Sequence, residues 1–392
     1  MKHKICAAAL SLALTGLISW KAVATNPVLF GDPFPRITAE LSDLFSEGKE
    51  EFSTVETAEE GLGPVFNDNS CAACHSNPAV GGDSDILETR FGTTTNNHFD
   101  PLAQFGGSLI QSQGIGAFGT CNFAGETVPA DATIVAKRKT TPLFGLGLVD
   151  HVPDAAFLLL AQLEKNVSPS TAGRPNIVTD LATGKPAVGK FGWKAQNPNL
   201  LQFSGDAYVN EMGITNPMFP AENCPNGDCS QMPSCYPDAG LDDEGDDVEA
   251  FSDFMTLLAA PPRGPITRDV LAGENVFLRI GCGSCHVPVL ITGPSKVKAF
   301  NKVAFHPYSD FLLHDMGSLG DGIEQGKATG RDMRTAPLWG LRVRSTYLHD
   351  GRALGLDAAI LAHDGQGKAA KNRFAALSAS DAQKLMAFLN SL

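Results

Sequence analysis

The sequence predicts a mostly α protein made of two related modules with long ordered loops. Three observations carry this. The pentapeptide pattern C-x-x-C-H occurs twice, as Cys71-Ala72-Ala73-Cys74-His75 and Cys282-Gly283-Ser284-Cys285-His286. Each half closes with an amphipathic stretch at helical spacing. Gly (40) and Pro (25) together make up about one residue in six, above the usual ~12%, while 43% hydrophobic content is ample for packed cores. The length of 392 residues allows two to three domains.

In chain order, residues 1–24 read as an export signal. Lys2 and Lys4 give a positive start, Ile5 to Trp20 is apolar but short for a membrane span, and Ala22-Val23-Ala24 is an A-x-A cleavage site. The expected mature protein is periplasmic, without membrane insertion, in an oxidising environment. The first module then runs over 25–262 and the second over 263–392, divided at Pro261-Pro262. Four residues separate Val65-Phe66 from Cys71, and four separate Val276-Phe277 from Cys282. This predicts an apolar helix leading into each motif. Thr140–Leu146 echoes Thr335–Leu341, and Asp154-Ala155-Ala156 echoes Asp357-Ala358-Ala359 at the start of apolar helical runs. The closing helices are expected over Val248–Ala259 and Ser380–Leu392, with Ser380 as N-cap. A Gly/Pro-rich insertion fills about 165–247, and strand signals are weak.

C-x-x-C-H is the attachment motif of c-type haem. Two thiols add across the haem vinyl groups, and the following His lies under the iron as proximal ligand. A zinc site would need the two Cys pairs brought together, yet each pair already has its own His. The cofactor expectation is therefore two covalently bound c-type haems, held by Cys71, Cys74, His75 and by Cys282, Cys285, His286, in two c-type cytochrome-like domains. Cys121, Cys224, Cys229 and Cys235 remain as disulfide candidates, with three pairings open. The acidic run Asp242–Asp247 suits a helix N-terminus; calcium is its other expected use.

The sixth iron position separates electron carriers from enzymes. His363, at the end of the helix from Asp357, is the leading second ligand for the C-terminal haem, ahead of His314 and Met316. His349 and Arg352 suit haem propionates. No His is comparably placed for the first haem: His98 lies in a polar loop and His151 at the start of a helix. Glu211 is a candidate acid, Met212 a candidate ligand, and Arg90 a group to polarise bound oxygen. The asymmetry points to one closed haem and one open one. Acidic residues (43) outnumber basic ones (30), for a net charge of −13. That excludes a nucleic-acid footprint and leaves room for steering a basic redox partner.

Seven segments resemble a known family: GLGPVFNDNSCAACH (61–75), TTPLFGLGLVD (140–150), KFGWKAQ (190–196), NEMGITNP (210–217), LLHDMGSLGDG (312–322), RTAPLWGLR (334–342) and YLHDGRALGLDAAILAHDG (347–365). The family is the di-haem oxidoreductases described as peroxidases or "thiol oxidoreductases", distant relatives of bacterial di-haem cytochrome c peroxidases and MauG-type enzymes. The resemblance implies an electron-relaying C-terminal haem and a peroxide-reactive N-terminal haem. It also implies that the residue fourteen after His349 is the second haem's distal ligand; relatives have Met or Tyr there, and this chain has His363. The relatives' inter-haem Trp turn is missing, leaving Trp193 and Trp339 as candidates. The expected function is a periplasmic di-haem peroxidase using hydrogen peroxide and a small redox protein as electron donor. An electron-transfer cytochrome and a haem dioxygenase are the alternatives.

Overall fold

The structure, a computed structural model, describes residues 27–96, 98–235 and 240–392. The segment read as an export signal, residues 1–24, lies outside these residues. With 35% helix and 17% strand, the fold is mixed, not mostly α. Most of the difference comes from short pairings in the first half. Leu87–Thr95 pairs antiparallel with Ile134–Lys139, with Leu109–Ile110 and with His98–Asp100. Its Thr-rich sequence favours extended backbone, but its half-buried polar alternation gives little hydrophobic signal. Strands elsewhere are two to four residues long, apart from Ile134–Lys139, and too short to show a period.

The helical frame is built twice. Helix Ala39–Glu51 crosses Asp246–Leu257, and helix Arg268–Arg279 crosses Ala379–Leu389. Each crossing is set by a glycine. A Cβ on Gly48 would lie 2.3 Å from the Ala250 carbonyl oxygen, and one on Gly273 would lie 1.9 Å from that of Lys384. Four residues on, Phe52 packs 4.9 Å from Phe254, and Phe277 packs 5.2 Å from Phe388, ring centre to ring centre. Fully burying each such ring contributes roughly 2–3 kcal/mol.

This pairing corrects the expected entry into the first motif. Val65-Phe66 is a two-residue strand against Gln113-Gly114, not a helix. The counterpart of Phe277 is Phe52, and an inserted loop separates it from Cys71. The closing helices also shift slightly. The second is capped by Ser378, whose hydroxyl accepts from the Asp381 amide, rather than by Ser380. Thr38 and Thr267 cap the opposing helices in the same way.

Phe45, Phe52, Phe251 and Phe254 anchor the larger core, into which Leu290, Phe300, Leu312 and Trp339 of the second half also pack. Val270, Phe277, Tyr308, Leu385 and Phe388 form the smaller one. Buried charges tie the halves together: Asp321 pairs with Arg138 at 2.7 Å and Lys194 at 2.8 Å. The sulfurs of Cys121 and Cys235, and those of Cys224 and Cys229, lie at bonding distance, which selects one of the three pairings. Among the described residues no helix is long and apolar enough to cross a membrane.

Candidate functional site

Each C-x-x-C-H segment forms one wall of a cavity. The first cavity holds about 1300 Å³ of atom-free space, its mouth included, and Cys71, Cys74 and His75 line it. Cys71–Cys74 is a single helical turn that brings both thiols to that wall. His75 Nδ1 lies 3.1 Å from the Gly82 carbonyl oxygen. A carbonyl only accepts, so Nδ1 carries the proton and Nε2 keeps its lone pair. Burial lowers the His75 pKa to about 4, which keeps the ring neutral. Phe52 packs edge-on against it at 5.8 Å.

The same cavity is lined by Glu88, Arg90, Asp206 and Glu211. Arg90 Nε donates to Glu88 at 3.0 Å, and Asn67 Nδ2 donates to Glu211 Oε2 at 2.8 Å. Burial pushes the Glu211 carboxyl up to about 8, helped by the neighbouring Glu88 carboxylate. Burial also pushes Glu88 up, but Arg90 and Arg138 outweigh it and hold Glu88 below its ordinary value. Of two adjacent carboxyls, one is thus a proton donor at neutral pH and the other is ionised, the division seen in acid–base pairs. Burial also raises the Asp206 carboxyl.

Glu211 and Arg90, far apart in sequence, thus meet His75 in one cavity. Glu88 was missed from sequence. Its signal was the E-x-R spacing, which puts Glu88 and Arg90 on one face of the strand Leu87–Thr95. Met212 Sδ sits 4.0 Å from Cys71 Sγ, beside the attachment thiol. His151 lines neither cavity. It caps the C-terminus of helix Leu146–Asp150, rather than starting a helix, and stacks on Phe300 at 4.3 Å. His98 is exposed on its strand.

The second cavity holds about 1440 Å³ and is lined by Cys282, Cys285, His286 and His363. His286 Nδ1 is 2.9 Å from the Tyr308 carbonyl, and His363 Nδ1 is 2.8 Å from that of Ala359. Both rings therefore keep Nε2 free as a metal donor. Burial, helped by the charge of His363, lowers His286 to about 4, and both imidazoles line this cavity. Burial lowers His363 as well. His363 is the C-cap of helix Leu356–Ala362, as its position before Asp364-Gly365 predicts. His314 is not a free ligand: Nε2 is 2.8 Å from Asp310 and Nδ1 is 3.4 Å from Cys285 Sγ. Burial opposes its charge, but Asp310 outweighs burial and holds the ring protonated. His349 lines the cavity, whereas Arg352 is turned to Asp350 at the surface.

A narrow neck of about 390 Å³ lies between the cavities. Trp193 lines both cavities and the neck. Its indole N–H donates to the Lys139 carbonyl at 2.8 Å, which fixes the ring. Trp339 lines neither cavity; it packs in the larger core against Phe305. Elsewhere, the Asp242–Asp247 run acts mainly as a helix start, with Asp243 accepting from the Gly245 and Asp247 amides.

Two enclosed cavities, each with a thiol pair beside a neutral imidazole presenting Nε2, define a two-centre redox protein whose donor atoms fit iron porphyrin. Residues 122–392 match the family described as "Di-haem oxidoreductase, putative peroxidase". The chain belongs to this family of di-haem enzymes, with haem as the cofactor the family implies. The match includes the second C-x-x-C-H and begins after the first. No curated protein matches the chain. Similar solved structures include hydrazine synthase of Kuenenia stuttgartiensis, 14% identical over all of both chains with a TM-score of 0.41. A MauG-like protein associated with microbial copper homeostasis is 13% identical over 95% of both chains, TM-score 0.40. The di-haem peroxidase BthA of Burkholderia thailandensis is 13% identical over 92% of this chain and 86% of its own, TM-score 0.40. Likeness at this level carries nothing about chemistry.

Proposed function

We propose that this is an exported di-haem peroxidase with a reactive N-terminal centre and an electron-relaying C-terminal one. The observation that carries the reading is the contrast between the cavities. The first has one imidazole, His75, and faces a protonated Glu211 beside Arg90. The second has two imidazoles with free Nε2 atoms, His286 and His363. A centre with two strong ligands relays electrons; one with an open position reacts.

Cys71 and Cys74, and Cys282 and Cys285, would hold the two haems as thioethers, with the domain boundary near 262. Bound haem supplies one-electron iron chemistry and the place where peroxide binds. The protein supplies the rest. Hydrogen peroxide takes up two electrons and two protons to give two waters. Glu211 gives one of these protons to the departing oxygen and solvent supplies the other; general acid catalysis of this kind contributes about 10²–10⁴-fold. Arg90 stabilises negative charge developing on that oxygen. Glu88 keeps Glu211 in its acid form until the proton is needed. Trp193, shared by both cavities, carries electrons between the centres. They come from a small redox protein outside.

The test is an EPR and optical spectrum of the haem-loaded protein before and after hydrogen peroxide. One high-spin and one low-spin signal are expected, with peroxide acting on the high-spin centre first. Two low-spin centres unmoved by peroxide would refute the reading and leave an electron carrier.

A further inference from the structure

Arg334 and Arg344 line both the neck and the second cavity. Arg334 is buried; its Nε donates to the Gly192 carbonyl at 2.7 Å and its Nη1 to that of Thr335 at 3.1 Å. Neither partner is charged. The Arg344 guanidinium makes no hydrogen bond or ion pair among the described residues. The acids whose charge reaches these two groups are already committed. Asp83 pairs with Lys139 at 3.2 Å, and Asp310 with His314 at 2.8 Å. Burial lowers Arg334 to about 10, Asp310 opposes this, and Arg344 lowers it further by repulsion. Two like charges thus share an enclosed neck with no counter-ion. Arg334 rests over the Phe311 ring at 5.4 Å, and Arg344 is half-buried. Burial disfavours charge without a counter-ion, so the pair favours an anion between or beside it. A guanidinium fork matches a carboxylate in two parallel hydrogen bonds.

We propose that Arg334 and Arg344 form a carboxylate-binding site at the neck, and that its occupant is a propionate of the haem in the second cavity. This rests on the haem reading above. Cys282, Cys285, His286 and His363 line the same cavity as both guanidiniums, so these two groups would be the ones to hold a carboxylate of a porphyrin bound there. A free carboxylate from solution has the same chemistry and is the rival source. The pair of cations also sits beside Trp193, where it favours the reduced form of the neighbouring centre.

The experiment uses the full haem-loaded chain. Mass spectrometry counts covalent haems, and spectroelectrochemistry gives the midpoint potential of each centre. Arg344→Gln is expected to keep both haems and to lower the potential of the low-spin centre, leaving the high-spin centre unmoved. Arg344→Lys, which keeps the charge but not the fork, is expected to fall between variant and wild type. An unchanged low-spin potential in Arg344→Gln would overturn the proposal. If that variant does not load haem, Arg344→Lys alone decides, and no shift there overturns it equally. A saturable effect of added acetate on the wild-type low-spin centre, lost in the variant, would place a free carboxylate at the site and overturn the propionate assignment. A wild type without haem at Cys282 and Cys285 would overturn both this site and the reading beneath it.

Discussion

Glu211→Gln isolates the acid of the first cavity. Burial and Glu88 move the Glu211 carboxyl from 4.5 to about 8. At about 1.4 kcal/mol per tenfold, the folded site prefers the protonated carboxyl by roughly 5 kcal/mol. The signs follow. The folded chain holds a proton there that the unfolded chain releases near 4.5. Stability therefore falls as pH rises from 4.5 through about 8, and proton donation is lost over the top of that window. Glu211→Gln keeps shape and neutrality but has no proton to give. Peroxide turnover should fall about 10²–10⁴-fold, and the limb near pH 8 should disappear from what remains. Glu88→Gln should act differently. It removes the charge that raises Glu211, so the alkaline limb moves to lower pH while the acid persists. The assay is steady-state peroxide consumption with a reduced artificial donor from pH 5 to 10, with haem content and thermal melting as controls. A Glu211→Gln enzyme with wild-type rate and pH profile would refute the assignment; so would a Glu88→Gln limb at higher pH.

Other consequences are more structural. Gly273→Ala should destabilise the second module by about 1–3 kcal/mol or more, read by denaturant unfolding, because its Cβ would lie 1.9 Å from the Lys384 carbonyl oxygen. Replacing Cys121 and Cys235 by Ser should cost more stability than replacing Cys224 and Cys229. The separations are 114 and 5 residues, and loop-closure entropy gives about 5 against about 2 kcal/mol; equal changes in unfolding free energy would contradict this. Trp193→Phe should leave both haem spectra in place yet slow electron exchange between the centres, measured by stopped-flow after mixing the half-reduced protein with peroxide.

That each C-x-x-C-H segment lines a cavity and that His363 ends a helix beside the second was legible because the signals are local: fixed spacing for the thiols, and a helix end before Asp364-Gly365. Glu211 and Arg90 were legible only as residue types, since nothing local shows that residues on a strand and a helix far apart in the chain meet in one cavity. The longest strand, Leu87–Thr95, was under-read because its half-buried, Thr-rich alternation gives little hydrophobic period, and most of the others are only two to four residues long. Phe52 was hidden by a misleading echo. Val65-Phe66 and Val276-Phe277 share a distance to their motifs, whereas the true repeat is G-x-x-x-F, Gly48 to Phe52 and Gly273 to Phe277. Its meaning is a helix crossing, which becomes visible only when the partner helices Asp246–Leu257 and Ala379–Leu389 are in place. Arg344 has no sequence signal at all; an unpaired guanidinium is a property of its surroundings.

The repeat also explains how one frame yields two unlike centres. Both modules keep the crossed helices, the Phe against the His of the C-x-x-C-H segment, and a left-handed Gly after the shared Pro-Leu-aromatic turn, at Gly145 and Gly340. They differ in what each brings to its cavity. Aligning Asp154 with Asp357 sets Leu160 opposite His363. Leu160 lies inside the longer helix Asp154–Val167 and packs on the larger core, so the first module has no imidazole at that place. It has instead the strand Leu87–Thr95 and the helix Leu200–Met212, which bring Glu88, Arg90 and Glu211 to the cavity. A helix that stops after two turns delivers a ligand; a helix that runs on, with an inserted sheet beside it, leaves room for an acid pair. Lengthening the helix Leu356–Ala362 past His363 should therefore do to the second centre what the first already has, and a high-spin signal appearing there, with the first centre unmoved, is the expected result. A second centre that stays low-spin without His363 at its helix end would show that the contrast between the modules has another cause.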